Sequence, residues 1–275
     1  MSFTVEDIKT LRDKTGAGMM ACKEALTASG GIEAAVEYLR KKGVATAEKK
    51  AGRATGDGAV ESALSADRKS GAIIEVNCET DFVAKTDQFK ALAASLAKWA
   101  AAQADPELAP DRLPEDKQAE IKEAIAKVGE NIKFRRGARL AADNGIVESY
   151  IHLGGKMGVL IKVEGEDGPE LRTLAREMAM QVAAASPIYV TKDQVPAEAV
   201  DREKDIYREQ VRGSGKPEKV VENIVAGKMK KYYSEVCLME QAYIKDPAKT
   251  VEAAAKEIYK GGLGQAEFIR YRLGE

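Results

Sequence analysis

One histidine, one tryptophan and three cysteines among 275 residues leave little from which to build a catalytic or metal centre. Cys22, Cys78 and Cys237 lie far apart, with no C-x-x-C pair. That spacing argues against a disulfide scaffold and predicts free thiols in a reducing compartment. Aromatic residues make up only 5%, so Ala, Val, Leu and Ile must fill any core. Charge of neither sign dominates: 43 Lys and Arg face 44 Asp and Glu, a net charge of −1. This balance argues against a protein that binds nucleic acid mainly through its overall field, and it suits a soluble protein that meets another protein. No apolar run approaches the ~20 residues needed to cross a bilayer. The first residues, Met1-Ser2-Phe3-Thr4-Val5-Glu6-Asp7, carry early acids and no Arg-rich leader, so a cytoplasmic protein is expected. No glycine-rich loop with a following Lys and Ser or Thr is present to cradle phosphates.

What is present is an internal repeat. Asp57-Gly58-Ala59-Val60-Glu61-Ser62 aligns with Asn144-Gly145-Ile146-Val147-Glu148-Ser149 at an offset of 87. At the same offset Lys69 meets Lys156, Gly71 meets Gly158, and Ile73, Ile74 and Val76 meet Leu160, Ile161 and Val163. The register then changes: Phe89, Leu92, Ala93, Leu96 and Ala97 match Leu171, Leu174, Ala175, Met178 and Ala179 at an offset of 82. The second copy is therefore about five residues shorter at one place, the junction that holds residues 80–84 of the first. An insertion between paired elements is a loop-level change, and loops on a rigid scaffold concentrate binding residues.

Around the repeat, residues 4 to about 43 read as three short helices separated by Gly16-Ala17-Gly18 and Gly30-Gly31. Gly16-x-Gly18-x-x-Ala21 formally matches a dinucleotide fingerprint, but a helix precedes it where that motif demands a strand. Of Met19 and Met20, one is expected in the core. Residues 44–57, with Lys49-Lys50-x-x-Arg53, read as a solvated linker. Each half of the repeat then reads as a hairpin, helices and a third strand, with Phe134 in Lys133–Leu140 mirrored by Phe268 in the last segment. The arginines of the first third strand are read as a basic edge. Between residues 197 and 243 two helices are expected to pair as an antiparallel hairpin, with Val221, Val225, Met229, Tyr232, Val236, Met239 and Tyr243 as a near-heptad seam. The fold class is α+β: a three-helix N-terminal domain with its linker (1–56), a core of two similar subdomains with small antiparallel sheets covered by helices (57–143 and 144–275), and the helical hairpin at about 197–243.

The inserted junction, Cys78-Glu79-Thr80-Asp81-Phe82-Val83-Ala84-Lys85, puts a carboxylate beside a large apolar ring after a buried-looking strand. Phe82 lies seven residues before Phe89, so a helix begun early would place both on one apolar face. Thr80 suits an N-cap, and Asp81 a first helical turn. Two readings stay open on pattern alone: Phe82 as a core residue of a structural adaptor, or Phe82 as a probe for a partner. Glu79 and Asp81 as an acid–base pair is a weaker third. His152, between Ile151 and Leu153, has no nucleophile or further ligands placed by motif, so a structural or surface-contact role is expected.

Thr15-Gly16-Ala17-Gly18-Met19-Met20-x-Cys22-Lys23-x-Ala25-Leu26 and Asn77-x-Glu79-Thr80-Asp81-Phe82-Val83-Ala84-Lys85 resemble the two signatures of the elongation factor Ts family. Ser214-Gly215-Lys216-Pro217, Val225-x-Gly227-Lys228, Lys249-Thr250-Val251 and Phe268-x-Arg270-x-x-x-Gly274-Glu275 continue the resemblance in order. It implies a non-enzymatic translation factor that needs no cofactor and promotes GDP release from the GTPase elongation factor Tu. It also implies a ubiquitin-associated-like N-terminal domain, a homodimer through the helical hairpin, and no direct nucleic-acid or membrane contact. The resemblance assigns Thr80, Asp81, Phe82 and Val83 to the region that disturbs the partner's Mg²⁺ and nucleotide, and Met19, Met20 and His152 to further partner contacts. Two departures stand out: Ala21 occupies a position where Asp is common, and the chain ends at Gly274-Glu275 where some members continue into a further helix.

Overall fold

A glycine opens the first strand of each hairpin and fixes how tightly the two strands close. Gly58 (φ +142°) and Gly145 (φ +133°) sit where a Cβ would overlap the carbonyl oxygen of Val76 and of Val163 respectively, so only glycine fits either position. The structure, a computed structural model, describes residues 3–212 and 217–275. The turn expected between residues 212 and 217 therefore falls largely outside the described residues.

Three helices come first: α1 (Val5–Thr15), α2 (Met19–Ser29) and α3 (Ile32–Lys50). The Thr4–Asp7 capping box closes the start of α1, and Gly16 in the left-handed region (φ +66°) ends it. Leu11, Cys22, Ala25, Leu26 and Ala35 form their shared core. The first half of the stretch expected as a solvated linker, residues 44–50, is the end of α3. Its Val-Ala-Thr-Ala-Glu-Lys-Lys run is helix-compatible, and it has something to bury: Ala47 joins the main core, and a Cβ at Gly43 would stand 3.0 Å from Ala126.

The first hairpin is β1 (Asp57–Leu64) and β2 (Ser70–Cys78), followed by a one-turn helix α4 (Asp81–Ala84), then α5 (Asp87–Ala101), the two-residue β3 (Glu107–Leu108), α6 (Glu115–Val128) and β4 (Ile132–Ala141). The second half runs β5 (Ile146–His152), β6 (Met157–Val163), α7 (Pro169–Ala185), α8 (Ala197–Val211), α9 (Glu218–Val236), β7 (Ala242–Tyr243), β8 (Asp246–Thr250), α10 (Val251–Ile258) and β9 (Ala266–Arg272). The fold is α+β, with sheets ordered β1-β2-β4-β3 and β5-β6-β9, antiparallel throughout, and a small β7–β8 ribbon. Phe89, Leu92 and Leu96 of α5, with Ile121 and Ile125 of α6, pack on one face of the first sheet. Leu171, Leu174 and Met178 of α7, with Val251 and Ala255 of α10, cover the second.

The opposite faces of the two sheets meet each other. Val60, Ile73, Val147 and Leu160 are all fully buried in one shared cluster. Residues 87 apart in the sequence exchange equivalent contacts here. The Val60 N–H donates to the Gly155 carbonyl and the Val147 N–H to the Arg68 carbonyl, both at 2.7 Å. The hydroxyls of Ser62 and Ser149 bond to each other at 3.0 Å. Lys69 reaches the Gly145 carbonyl at 2.7 Å, and Lys156 reaches the Asp57 carboxylate. Reciprocal contacts of this kind describe a local two-fold axis running between the hairpins.

Two expectations are corrected. Arg135 and Arg136 are not free charges along an edge: β3 covers β4 only at Gly137 and Ala138, but both arginines are engaged by a buried carboxylate. A register shift at Glu75/Val76 brings both arginines to the fully buried Glu75 carboxylate, Arg136 at 2.7 Å and Arg135 at 3.3 Å. The Asn77 amide and the Gly274 N–H, each donating at 3.1 Å, complete the shell, consistent with the need to satisfy a buried charge fully. The second correction concerns the seam along α9, which ends at Val236. Beyond it the chain turns extended at Cys237 and pairs with residues 189–190: Leu238 N–H to the Tyr189 carbonyl at 2.8 Å and Met239 N–H to the Val190 carbonyl at 3.0 Å. Met239 and Tyr243 are therefore not part of the helix. The α8 and α9 helices do pair, through Arg208 to Glu222 at 2.9 Å and Lys228 to Gln210 at 2.5 Å.

Substituting Gly58→Ala or Gly145→Ala should each destabilise the protein by on the order of 3 kcal/mol, since both backbone conformation and space are denied. Thermal unfolding checks this, with Gly168→Ala, where a Cβ meets nothing within 4 Å, as the control.

Candidate functional site

The junction between β2 and α5 is where the two halves of the molecule differ. Residues 79–86 join β2 to α5, whereas the shorter run of residues 164–168 joins β6 to α7. In the longer connection the chain starts a helix twice. Thr80 caps α4, its hydroxyl accepting from the Val83 N–H at 3.4 Å. Thr86, extended at φ −68°, ψ 148°, caps α5 by accepting from the Phe89 N–H at 3.2 Å.

This break decides the fate of Phe82. Had one helix run from 81 to 101, the seven-residue spacing would have carried Phe82 and Phe89 to the same face. Instead Phe89 is fully buried, while Phe82 is 79% exposed. Val83 takes the inward position of the single turn and joins the core. Its neighbour, rotated by about 100° around the helix, points out. The reading of Phe82 as a core residue is thus overturned, and with it the form of the adaptor hypothesis that needed it there.

The base of the turn is held by polar contacts to the segment linking α6 to β4. Both carboxylate oxygens of Glu130 are used on Thr80: one accepts the backbone N–H at 3.0 Å, the other the hydroxyl at 2.7 Å. Reciprocally, Glu79 accepts the Asn131 N–H at 2.7 Å and lies 3.5 Å from Arg53. The Cys78 thiol donates to the Thr80 carbonyl at 3.1 Å. Burial, followed by the nearby Asp57 and Glu130 carboxylates, pushes that thiol up to about 12. Asp81 pairs with Lys85 at 2.6 Å on the exposed side. Glu79 and Asp81 thus serve different partners and do not share a proton-transfer site.

The other residues singled out by sequence lie on separate elements. Met19 and Met20 occupy the first turn of α2 and are 61% and 76% exposed, so neither is in the core, contrary to expectation. The small residues behind them explain this: Cys22, Ala25 and Leu26 fill the inward face of α2. His152 closes β5, its Nδ1 2.8 Å from the Tyr150 hydroxyl. The Arg176 guanidinium lies 4.9 Å from the centre of the Tyr150 ring. Among the described residues, no three His, Cys, Asp or Glu are grouped to hold a metal ion, and no helix is long and apolar enough to cross a membrane. Glu130, Asn131 and Arg53 escaped sequence reasoning. The one signal for them was the helix-stop Gly129 just before two polar residues.

Comparison with known proteins bears on the whole chain. The family model described as Elongation factor TS matches residues 79–275, a stretch that begins within this junction. Elongation factor Ts of Halothermothrix orenii is 46% identical over 284 residues, covering 100% of this chain and 93% of the relative. That of Clostridium botulinum is 46% identical, covering 99% of this chain and 93% of the relative. That of Chlorobaculum parvum is 46% identical, covering 99% of both. The chain belongs to the elongation factor Ts family. As a member of that family it is a translation elongation factor, working in protein biosynthesis. The feature of this chain that departs from the internal symmetry is an exposed aromatic side chain on a capped, anchored turn.

Two outcomes follow from the burial pattern. Phe82→Ala should change stability by no more than about 0.5 kcal/mol, whereas loss of a core phenylalanine costs about 3–5 kcal/mol; denaturant titration separates the two. Cys78 should resist alkylation at neutral pH in the folded protein and react once the chain is unfolded, as read by mass spectrometry.

Proposed function

We propose that this protein binds elongation factor Tu in its GDP form and promotes release of GDP by disturbing the partner's Mg²⁺ and nucleotide site, so that GTP can rebind. It catalyses no chemical reaction in this reading. The observation that carries it is Phe82: a large apolar side chain, 79% exposed, on a turn whose base is held by hydrogen bonds to both Glu79 and Glu130. Exposed apolar side chains fixed on a rigid base suit insertion into a partner, because little ordering entropy is lost on binding.

The four residues of the site divide by role. Thr80 and Val83 anchor the turn, the first to Glu130 and the second in the core. Asp81 and Phe82 reach outward and make the contact. The carboxylate next to the ring brings negative charge toward a site that holds a divalent cation. A bound metal is often the largest local charge, so a small displacement there has a large effect on a nucleotide held by it. The exchange factor need only bind the nucleotide-free partner better than the GDP-bound one. Linkage then makes the effect mutual: GDP weakens this protein's binding by the same factor by which this protein weakens GDP's. Met19, Met20 and His152 provide further contacts, and the α8–α9 hairpin provides the surface for a homodimer. The units act as an N-terminal domain with its linker (1–56) and two core subdomains (57–143 and 144–275), in the cytoplasm, with no direct contact to nucleic acid or membrane.

Enclosing Phe82 in the partner is worth roughly 1.5–3 kcal/mol, so Phe82→Ala should slow GDP release about 10- to 100-fold. Asp81→Ala should also slow it, and added GDP should dissolve a nucleotide-free complex of the two proteins. The measurement is release of a fluorescent GDP analogue from elongation factor Tu. Unchanged release with either variant, at equal binding, removes that residue from the mechanism.

A further inference from the structure

A single helical turn has little stability of its own, because its formation fixes several residues for one or two hydrogen bonds. The α4 turn nevertheless carries the exposed Phe82, so something beside the turn must set its direction. The contacts that do so converge on one side chain. Glu130 accepts both the N–H and the hydroxyl of Thr80, one on each oxygen. The hydroxyl oxygen thus oriented is the acceptor that caps α4 at the Val83 N–H.

Glu130 is itself held firmly. Its neighbours on the 129–131 turn are tied to the end of α3 and the chain just after it. The Lys50 ammonium donates to the Gly129 carbonyl, and the Asn131 side chain donates to the carbonyls of Ala51 at 3.3 Å and Arg53 at 2.9 Å. Arg53 in turn faces Glu79, which accepts the Asn131 N–H. The three segments 50–53, 79–80 and 129–131 therefore close a ring of contacts beneath the turn. Beside this ring lies a cavity of about 570 Å³ lined by Ala17, Gly18, Leu39, Gly43, Ala119 and Ala126. The ring holds the turn that carries Glu130.

We propose that Glu130 is a positioning residue for nucleotide exchange: it touches neither nucleotide nor partner metal, and it aims Asp81 and Phe82 by fixing both polar groups of Thr80. This rests on the exchange reading given above. It predicts a defect in how fast the bound complex loses GDP, rather than in how tightly the two proteins meet, because the residues exposed on α4 keep their identity when Glu130 is altered and only their aim changes.

The test compares wild type, Glu130→Ala, Glu130→Gln and Phe82→Ala as full-length chains. Two readouts are used: hydrogen–deuterium exchange of the Thr80 and Val83 amides in the free protein, and the concentration dependence of GDP release from elongation factor Tu. With Glu130→Ala the two amides should exchange about tenfold faster or more, since the Thr80 N–H loses a charged acceptor and the Val83 N–H keeps only a hydroxyl acceptor that is no longer oriented. The maximal rate of GDP release should fall by a similar factor, with the half-saturating concentration within about twofold of wild type. Glu130→Gln should restore most of both, since its amide offers an acceptor for the Thr80 N–H and a donor for the Thr80 hydroxyl oxygen. Unaltered amides in Glu130→Ala overturn the proposal, and so does a maximal release rate unchanged while the amides speed up. A wild-type protein that fails to accelerate release, or a Phe82→Ala variant equal to it, counts instead against the exchange reading, and the amide result separates that case.

Discussion

Two side-chain carboxylates cross between neighbouring segments at the end of β2, Glu130 onto Thr80 and Glu79 onto the Asn131 N–H, and they allow the chain to expose what it would otherwise bury. Hydrophobic burial favours tucking Phe82 under the sheet beside Phe89. The split between α4 and α5, with a threonine capping each helix, denies it that path. Charge-assisted hydrogen bonds are among the stronger polar contacts, about twice as strong as neutral ones, and three of them meet on two consecutive residues here. The result is an apolar side chain in water on a base that does not yield.

The rest of the molecule can be understood as the platform that makes such a base affordable. The two hairpins meet about a local two-fold axis, with Val60 and Val147, Ile73 and Leu160, and Ser62 and Ser149 in equivalent places. Lysines 69 and 156 cross in opposite directions to bind the start of the other hairpin. The buried Glu75, three residues before the end of β2, binds Arg135, Arg136 and the Gly274 N–H, and so ties the last residues of the chain to the strand that leads into the junction. A symmetric core with one asymmetric connection concentrates difference in one place. The family match, which begins at residue 79, includes that connection.

Much of this frame was legible in the residues, for physical reasons. The repeat was visible because strands packed on both faces need apolar residues at fixed positions, and Gly58 and Gly145 because no other residue fits beside the opposite carbonyl. Helices with local caps, such as α1 with Thr4 and Asp7, were equally readable. What was missed depends on non-local partners. The continuation of α3 to Lys50 is stabilised by Ala126 and the core, not by its own composition. The end of α9 is set by backbone pairing with residues 189–190, which overrides a regular apolar spacing. The pairing of Arg135 and Arg136 with Glu75 needs a bulge that no pattern announces. At the candidate site the place of the insertion was legible, and the direction of Phe82 was not, because the deciding residues, Glu130 and Asn131, lie some fifty positions away.

The proposed role makes Phe82 a side chain for another protein, and its 79% exposure already sets it outside its own core. Replacing it by a photoreactive analogue, Phe82→benzoylphenylalanine, and irradiating the chain with elongation factor Tu tests this directly. The expected result is a crosslink between the two proteins in the absence of nucleotide that disappears when GDP is added. A crosslink confined to the protein's own chain, or one to the partner that GDP leaves unchanged, would contradict it.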